Sequence, residues 1–283
     1  MSDEFGFFLL LMSNGVLIGL MYALIALGFV LVYKATDAVN FAQGEFVMIA
    51  GFLAVGALTV AGIPLGLSIL ISLLAMIVFG FVLERVMLRK LIGRPVIAVV
   101  MATIGLAAIL RGLGPFGIFQ GTRPLPLPLP DEPFILGPLF IPPIQLVGGA
   151  VSLLFLAGFG YFFLRSRKGI AMRAVADNQQ VAMAMGINVQ RYFGLAWAMT
   201  GVVSALGGVL WGNMLGVDVN LALVGFKVFP VVILGGLDSI PGAIIGGLIV
   251  GIVENVAAGY VDPYVGGGTK DFAPYVLMIL ALM

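Results

Sequence analysis

An all-α fold, a polytopic membrane bundle of about eight or nine transmembrane helices, is predicted by three features of the 283-residue chain. Hydrophobic side chains make up 61% of it and charged ones only 10%, against roughly 45–50% apolar residues in soluble domains. The apolar residues fall into runs of span length. The breaks between runs are too short to house a large soluble domain, so residues 1–283 read as one transmembrane domain. The chain has no His and no Cys. That excludes His- or thiolate-ligated metal and haem, Ser-His triads, Cys nucleophiles and disulfides. A net charge of +1 gives no electrostatic case for nucleic acid.

The first run, Phe5 to Tyr33, follows Asp3 and Glu4 where a secretory signal carries Lys or Arg, and it is too long for a signal core. It reads as a retained span. Further runs lie at Phe41–Ala61, Pro64–Leu83, Pro95–Leu113, Pro143–Leu164, Phe193–Leu215, Ala222–Leu237 and Pro241–Gly259. Ala222–Leu237 is the weakest, being short and interrupted by Pro230 and Gly235-Gly236. The last run, Phe272 to Met283, has 12 residues, short of the roughly 20 that a span needs. The natural protein is therefore expected to continue beyond Met283.

Orientation follows from Lys and Arg, which short cytoplasmic loops retain during insertion. Two connections hold nine of the 14: Arg85, Arg89, Lys90 and Arg94 in one, and Arg165, Arg167, Lys168, Arg173 and Arg191 in the other. Both are expected inside. The loop between them, about 114–142, contains one Arg with Asp131 and Glu132 and is expected outside. Counting back places Lys34 inside and the N-terminus outside. The outer loop contains Thr122-Arg-Pro-Leu-Pro-Leu-Pro-Leu-Pro130, whose alternating prolines favour a stiff polyproline II strip. It suits a loop packed over helix ends or a docking surface for an external protein.

Small residues recur four apart at Gly15/Gly19, Gly208/Gly212, Gly242/Gly246 and Gly247/Gly251. Such pairs let helix backbones approach closely, within the chain or across a dimer. Gly19-Leu20 ahead of Val39-Asn40 echoes Gly194-Leu195 ahead of Val219-Asn220, a match too thin to establish an inverted repeat. Ser239 and Pro241 suit a helix beginning there. That start is either an anion site or a simple surface cap.

Glu45 falls within an apolar run, just after Asn40-Phe-Ala-Gln43-Gly44. An ionisable residue at membrane depth is a functional candidate. The stretch reads either as a partly unwound helix start lining a translocation path with Asn40, Gln43 and Glu45, or as a segment at the membrane edge. Glu254, Arg111 and Lys227 raise the same question, and snorkelling from helix ends explains them more simply. In the cytoplasmic connection, about 165–191, Lys168 to Asp177 reads as one short helix and Asn178 to Met185 as a second. Asp177 or Asn178 serves as N-cap and Gly186 ends it. Val181, Ala182 and Met185 recur on one face, suited to lipid headgroups or to a partner's groove.

Four blocks carry a family resemblance: Gly19 to Gly28 (GLMYALIALG), Val39 to Glu45 (VNFAQGE), Arg173 to Asn188 (RAVADNQQVAMAMGIN) and Leu234 to Gly247 (LGGLDSIPGAIIGG). In this order they resemble the permeases of branched-chain amino acid ABC importers, and within that family the smaller, Liv-type subunit. The resemblance covers nearly the whole chain. The Ala182 to Gly186 spacing is similar to the cytoplasmic Glu-Ala-Ala loop of ABC permeases, which docks on the nucleotide-binding subunit. It implies that Asp177 to Asn188 form a coupling element, with Arg173, Asp177, Asn178, Val181, Ala182, Met185 and Gly186 in the loop. Gln180 stands where the wider pattern has Glu, so no particular ion pair is carried over.

No Gly-x4-Gly-Lys-Ser/Thr phosphate loop occurs anywhere, so a motor must be recruited. The resemblance implies two cytoplasmic ATPase subunits holding ATP and Mg, a homologous permease partner and an extracytoplasmic solute-binding protein, in a bacterial inner membrane. The chain itself is expected to hold no cofactor and no catalytic residue. The alternatives are a stand-alone secondary transporter or channel using Glu45 or Glu254, and a related permease for urea or short amides. An intramembrane enzyme would need a Ser/Lys dyad or paired carboxylates, and no spacing points to either.

Overall fold

The computed structural model describes residues 2–91, 94–114, 121–130 and 132–283. Asp131 and the side chain of Asp3, both part of the charge argument, lie outside the described residues. The apolar runs fold as helices: α1 (Ser2–Thr36), α2 (Gln43–Thr59), α3 (Leu65–Val86) and, after a 3-10 turn at Leu88–Leu91, α4 (Val96–Leu113). A short antiparallel hairpin of β1 (Phe134–Leu136) and β2 (Leu139–Ile141) precedes α5 (Pro143–Arg165), α6 (Arg167–Asp177), α7 (Gln179–Ala184) and α8 (Val189–Leu215). A 3-10 turn at Val219–Ala222 leads into α9 (Leu223–Gly235), α10 (Ile240–Val265) and α11 (Thr269–Leu282).

Among the described residues six helices are long and apolar enough to cross a membrane: α1, α3, α4, α5, α8 and α10. The count of eight or nine is not reached on length. The run Phe41–Ala61 yields a helix of 17 residues, because Asn40 holds the chain in a turn: its Oδ1 accepts from the Ala42 N-H at 3.1 Å and its carbonyl from the Gln43 N-H at 3.3 Å. The run Ala222–Leu237 yields the 13 residues of α9, which continues through Pro230 and stops before Gly236 at φ +87°. The terminal run starts earlier than expected, at Thr269, and gives 14 residues. The hairpin inside the outer loop was not expected, since strands of three residues are too short to show an alternating pattern.

The chain divides into two compact units. One comprises residues 27–127 and 157–225. Here α3 crosses α8 with backbones in contact, since a Cβ on Gly80 would overlap the Trp197 carbonyl and one on Gly201 the Met76 carbonyl. Phe46 of α2 packs edge-on to Phe79 at 5.2 Å and against Trp197 at 6.0 Å, in a core with Met76, Leu106 and Ala205. Gly208 meets the α2 backbone at Val47 and Gly51. The other unit comprises residues 1–26, 128–156 and 226–283. In it Gly15 and Gly19 of α1 face Gly247 and Gly251 of α10. These small-residue pairs therefore serve packing within the chain, where van der Waals contact takes the place of hydrophobic drive.

Candidate functional site

The start of α2 is the most polar place in the interior of its unit. Asn40 and Gln43 are fully buried and Glu45 is 2% exposed. Buried polar atoms of this kind need partners, and the sequence supplies them from distant elements. Asn40 Nδ2 donates to Gln43 Oε1 at 3.4 Å, Gln43 Nε2 donates to Ser204 Oγ at 3.2 Å, and Ser204 Oγ donates to the Thr200 carbonyl at 2.8 Å. Thr200 Oγ1 in turn donates to the Gly28 carbonyl at 3.3 Å. The chain of bonds links the start of α2 and the Gly28 stretch of α1 to the middle of α8. Gly44 has no room for a side chain, because a Cβ there would overlap the Ala222 carbonyl and approach Gly225. The starts of α2 and α9 thus touch through bare backbone.

Glu45 finds a cation that sequence spacing could not identify. Arg111, near the end of α4, places Nη2 2.5 Å from Glu45 Oε1, with the carboxylate buried and the arginine side chain 44% exposed. The arginine snorkels outward, as its place near a helix end suggests, while its head neutralises the buried acid. Lys227 and Glu254 also pair, in the other unit: Lys227 Nζ lies 3.7 Å from Glu254 Oε1 and 2.9 Å from Asp271 Oδ1. The Tyr22 hydroxyl hydrogen-bonds Glu254 as well. Ser204, Thr200 and Asp271 were not singled out by sequence reasoning. Single hydroxyls on an apolar helix and one acid beyond a glycine run give no local signal.

The connection between α5 and α8 folds into two short helices. Ser166 caps α6 by accepting from the Gly169 N-H at 2.9 Å, and Asn178 caps α7 by accepting from the Val181 N-H at 3.0 Å. Asn178 is thus the N-cap, and Asp177 is the last residue of α6. Gly186 follows α7 at φ +81°, a conformation that glycine reaches without strain. Arg173 anchors α6 by donating to the Leu164 carbonyl at 3.1 Å, with its guanidinium over the Phe163 ring. Gln179 Nε2 donates to the Ala35 carbonyl at 3.3 Å, tying α7 to the end of α1. The expected apolar face divides: Ala182 is buried, whereas Val181 and Met185 are 58% and 77% exposed and Met183 stands out beside them. Ala182 is held inward because α7 has one turn and a half, enough to bury only one position against the tied chain.

At the other end of the same unit the proline-rich strip is fastened to the end of α8. Arg123 and Val217 exchange backbone hydrogen bonds at 3.1 and 2.8 Å, Asn213 Nδ2 donates to the Leu125 carbonyl at 2.7 Å, and Thr122 Oγ1 donates to Asp218 Oδ2 at 2.7 Å. Partial burial pushes the Asp218 carboxyl upward, but hydrogen bonds from Thr122, Asn220 and Leu221 outweigh it and hold the group below the usual carboxylate range. Ser239 caps α10 by accepting from the Gly242 N-H at 3.0 Å, as the sequence suggested for a helix start. Among the described residues no group of three or more Asp or Glu side chains is arranged to hold a metal ion.

Comparison with known proteins gives a consistent picture. Residues 11–282 match the family described as "Branched-chain amino acid transport system / permease component". The chain is 34% identical to the high-affinity branched-chain amino acid transport system permease protein LivH of Escherichia coli K12, over 100% of this chain and 95% of that protein. It is 32% identical to the corresponding permease protein BraD of Pseudomonas aeruginosa, over 95% of this chain and 91% of that one. A probable LivH permease of Methanocaldococcus jannaschii is 26% identical over 96% of this chain and 88% of its own. Among solved structures, PsaBC from Streptococcus pneumoniae in complex with Fab matches with a TM-score of 0.54 over 96% of this chain and 90% of that one. At 11% identity that likeness speaks for the fold alone.

Proposed function

The chain belongs to the family of branched-chain amino acid transport permeases, and from that membership we propose that it forms one membrane-spanning half of an ATP-driven importer for branched-chain or related small amino acids. The observation that carries this reading is similarity along nearly the whole chain, 11–282, to proteins named for that transport. The local geometry supports it. α7 is too short to span, is tied by Gln179 to the end of α1, and presents Val181, Met183 and Met185 to a partner. Apolar side chains on a short, anchored helix suit a groove on another subunit.

In this reading α6 and α7 face the cytoplasm and couple to two ATPase subunits, which hold ATP and Mg; this chain holds neither. A homologous permease supplies the other half of the path, and a solute-binding protein delivers the substrate outside a bacterial inner membrane. The N-terminus lies on that outer side. Within the unit of residues 27–127 and 157–225, α7 meets the α1 end near Lys34, while Thr122 of the outer loop pairs with Asp218 beyond the far end of α8. Both meetings support that orientation. Asn40, Gln43 and Glu45 flank the path where α2 and α9 begin, and rearrangement there exposes their polar atoms to a zwitterionic substrate. ATP binding must act on that rearrangement as a difference between two states.

Affinity purification of the permease in mild detergent tests the coupling role. Wild type is expected to bring down a stoichiometric ATPase, and Met185→Glu, which places a charge on the exposed apolar tip, is expected to lose it. An ATPase retained equally by both would remove α7 from the interface. For the path residues, transport left unchanged by Glu45→Gln and by Asn40→Ala would exclude them.

A further inference from the structure

Beside the first residue of α7 lies a partly open cavity of about 70 Å³ lined by Thr36, Leu88, Leu91, Arg94, Val99 and Gln179, among others. Its walls come from the end of α1, the 3-10 turn after α3, the starts of α4 and α8 and the first residue of α7. Two features give it a chemistry. Arg94 stands at its edge, in a connection that also carries Arg85, Arg89 and Lys90. Glu84 takes Arg89 in a two-point pair at 3.0 and 2.8 Å, which leaves Arg85, Lys90 and Arg94 without a carboxylate partner among the described residues. Val96, which also lines the cavity, is 52% exposed, and Ile97 and Met101 continue from it along the bare apolar surface of α4. The cavity therefore adjoins the exposed apolar surface of α4, with positive charge at its rim and apolar side chains on its walls.

We propose that this cavity is a binding site for an anionic phospholipid of the cytoplasmic leaflet, and that its occupant braces α7 in the position from which it engages the ATPase. The phosphodiester meets Arg94, whose planar fork matches phosphate oxygens, with Arg85 and Lys90 adding long-range attraction. An acyl chain lies along Leu88, Leu91, Val96 and Val99 and leaves over Ile97. Gln179 connects the site to coupling, because the same residue lines the cavity and ties α7 to the Ala35 carbonyl. A soluble phosphate ester would gain nothing from the apolar wall that leads out onto α4. The regulatory half of the proposal rests on the reading of α7 as the ATPase contact; the lipid site does not.

Native mass spectrometry of the purified complex, supplied with equal phosphatidylglycerol and phosphatidylcholine, tests the site. The complex is expected to retain phosphatidylglycerol selectively, with Arg94→Gln binding about fivefold more weakly, the loss of one basic residue near a lipid headgroup. Val99→Trp, which fills the cavity, is expected to remove retention while Arg94 remains. ATPase activity of the complex in phosphatidylcholine nanodiscs should rise on adding phosphatidylglycerol in wild type and not in Arg94→Gln. Equal retention of the two lipids, retention indifferent to both variants, or displacement by glycerol phosphate as readily as by phosphatidylglycerol would each overturn the lipid site. Selective retention in a preparation that brings down no ATPase would uphold the site and overturn the coupling reading instead.

Discussion

Glu45 and Arg111 show how a charge is kept inside an apolar chain. The carboxylate is buried and its partner is half exposed, so removing the arginine strands a charge that water cannot reach. Arg111→Ala is expected to destabilise the protein by about 2–3 kcal/mol, read as a lowered unfolding midpoint in detergent. Glu45→Gln with Arg111→Gln should recover most of that loss, because the stranded charge is gone. Asp218 carries a pH dependence at the end of α8. Its carboxyl is held below the usual range by its hydrogen bonds, so its contribution is fully present above the unfolded value of about 4 and is lost as pH falls through the lower folded value. Hydrogen exchange at the Arg123 and Val217 amides should therefore quicken only in acid below that range. Asp218→Asn should quicken it at neutral pH and flatten the dependence. The sequence marked both Glu45 and Arg111 but could not pair them, since they are 66 residues apart and only the fold brings them together.

Helix ends were legible where their chemistry is local. Asn178, Ser239 and Gly186 sit at the ends that their side chains or their freedom at positive φ suit. The lengths of α2 and α9 were less legible, because hydropathy runs through Phe41 and Leu237 while the turn at Asn40 and the glycine at 236 stop the helices inside those runs. The β1–β2 hairpin lay hidden among apolar residues that read equally well as loop. Glycines separate two kinds of position on the helices. Gly201 of α8 sits against the Met76 carbonyl, whereas Gly105 of α4 has open space around it. Gly201→Ala is expected to destabilise by about 1–3 kcal/mol through forced separation of α3 and α8. Gly105→Ala is expected to stabilise by about 0.5–1 kcal/mol through its helix preference. Unfolding midpoints of the two variants should move in opposite directions.

For the whole molecule, composition already required a membrane protein, no phosphate loop occurs in these 283 residues, and four sequence blocks in order pointed to the family that the comparisons then showed. What no sequence window contained is the polar chain from Asn40 through Gln43 and Ser204 to Gly28, which depends on three helices meeting. The importer reading makes uphill transport conditional on partners that dock on α7. Reconstitution of this permease with its homologous partner, the two ATPase subunits and the solute-binding protein in liposomes, followed by uptake of labelled leucine, isoleucine and valine, measures that dependence directly. Accumulation against a gradient that requires ATP and the binding protein and is abolished by Met185→Glu is expected. Equal flux with and without ATP, running only downhill and indifferent to Met185→Glu, would contradict it.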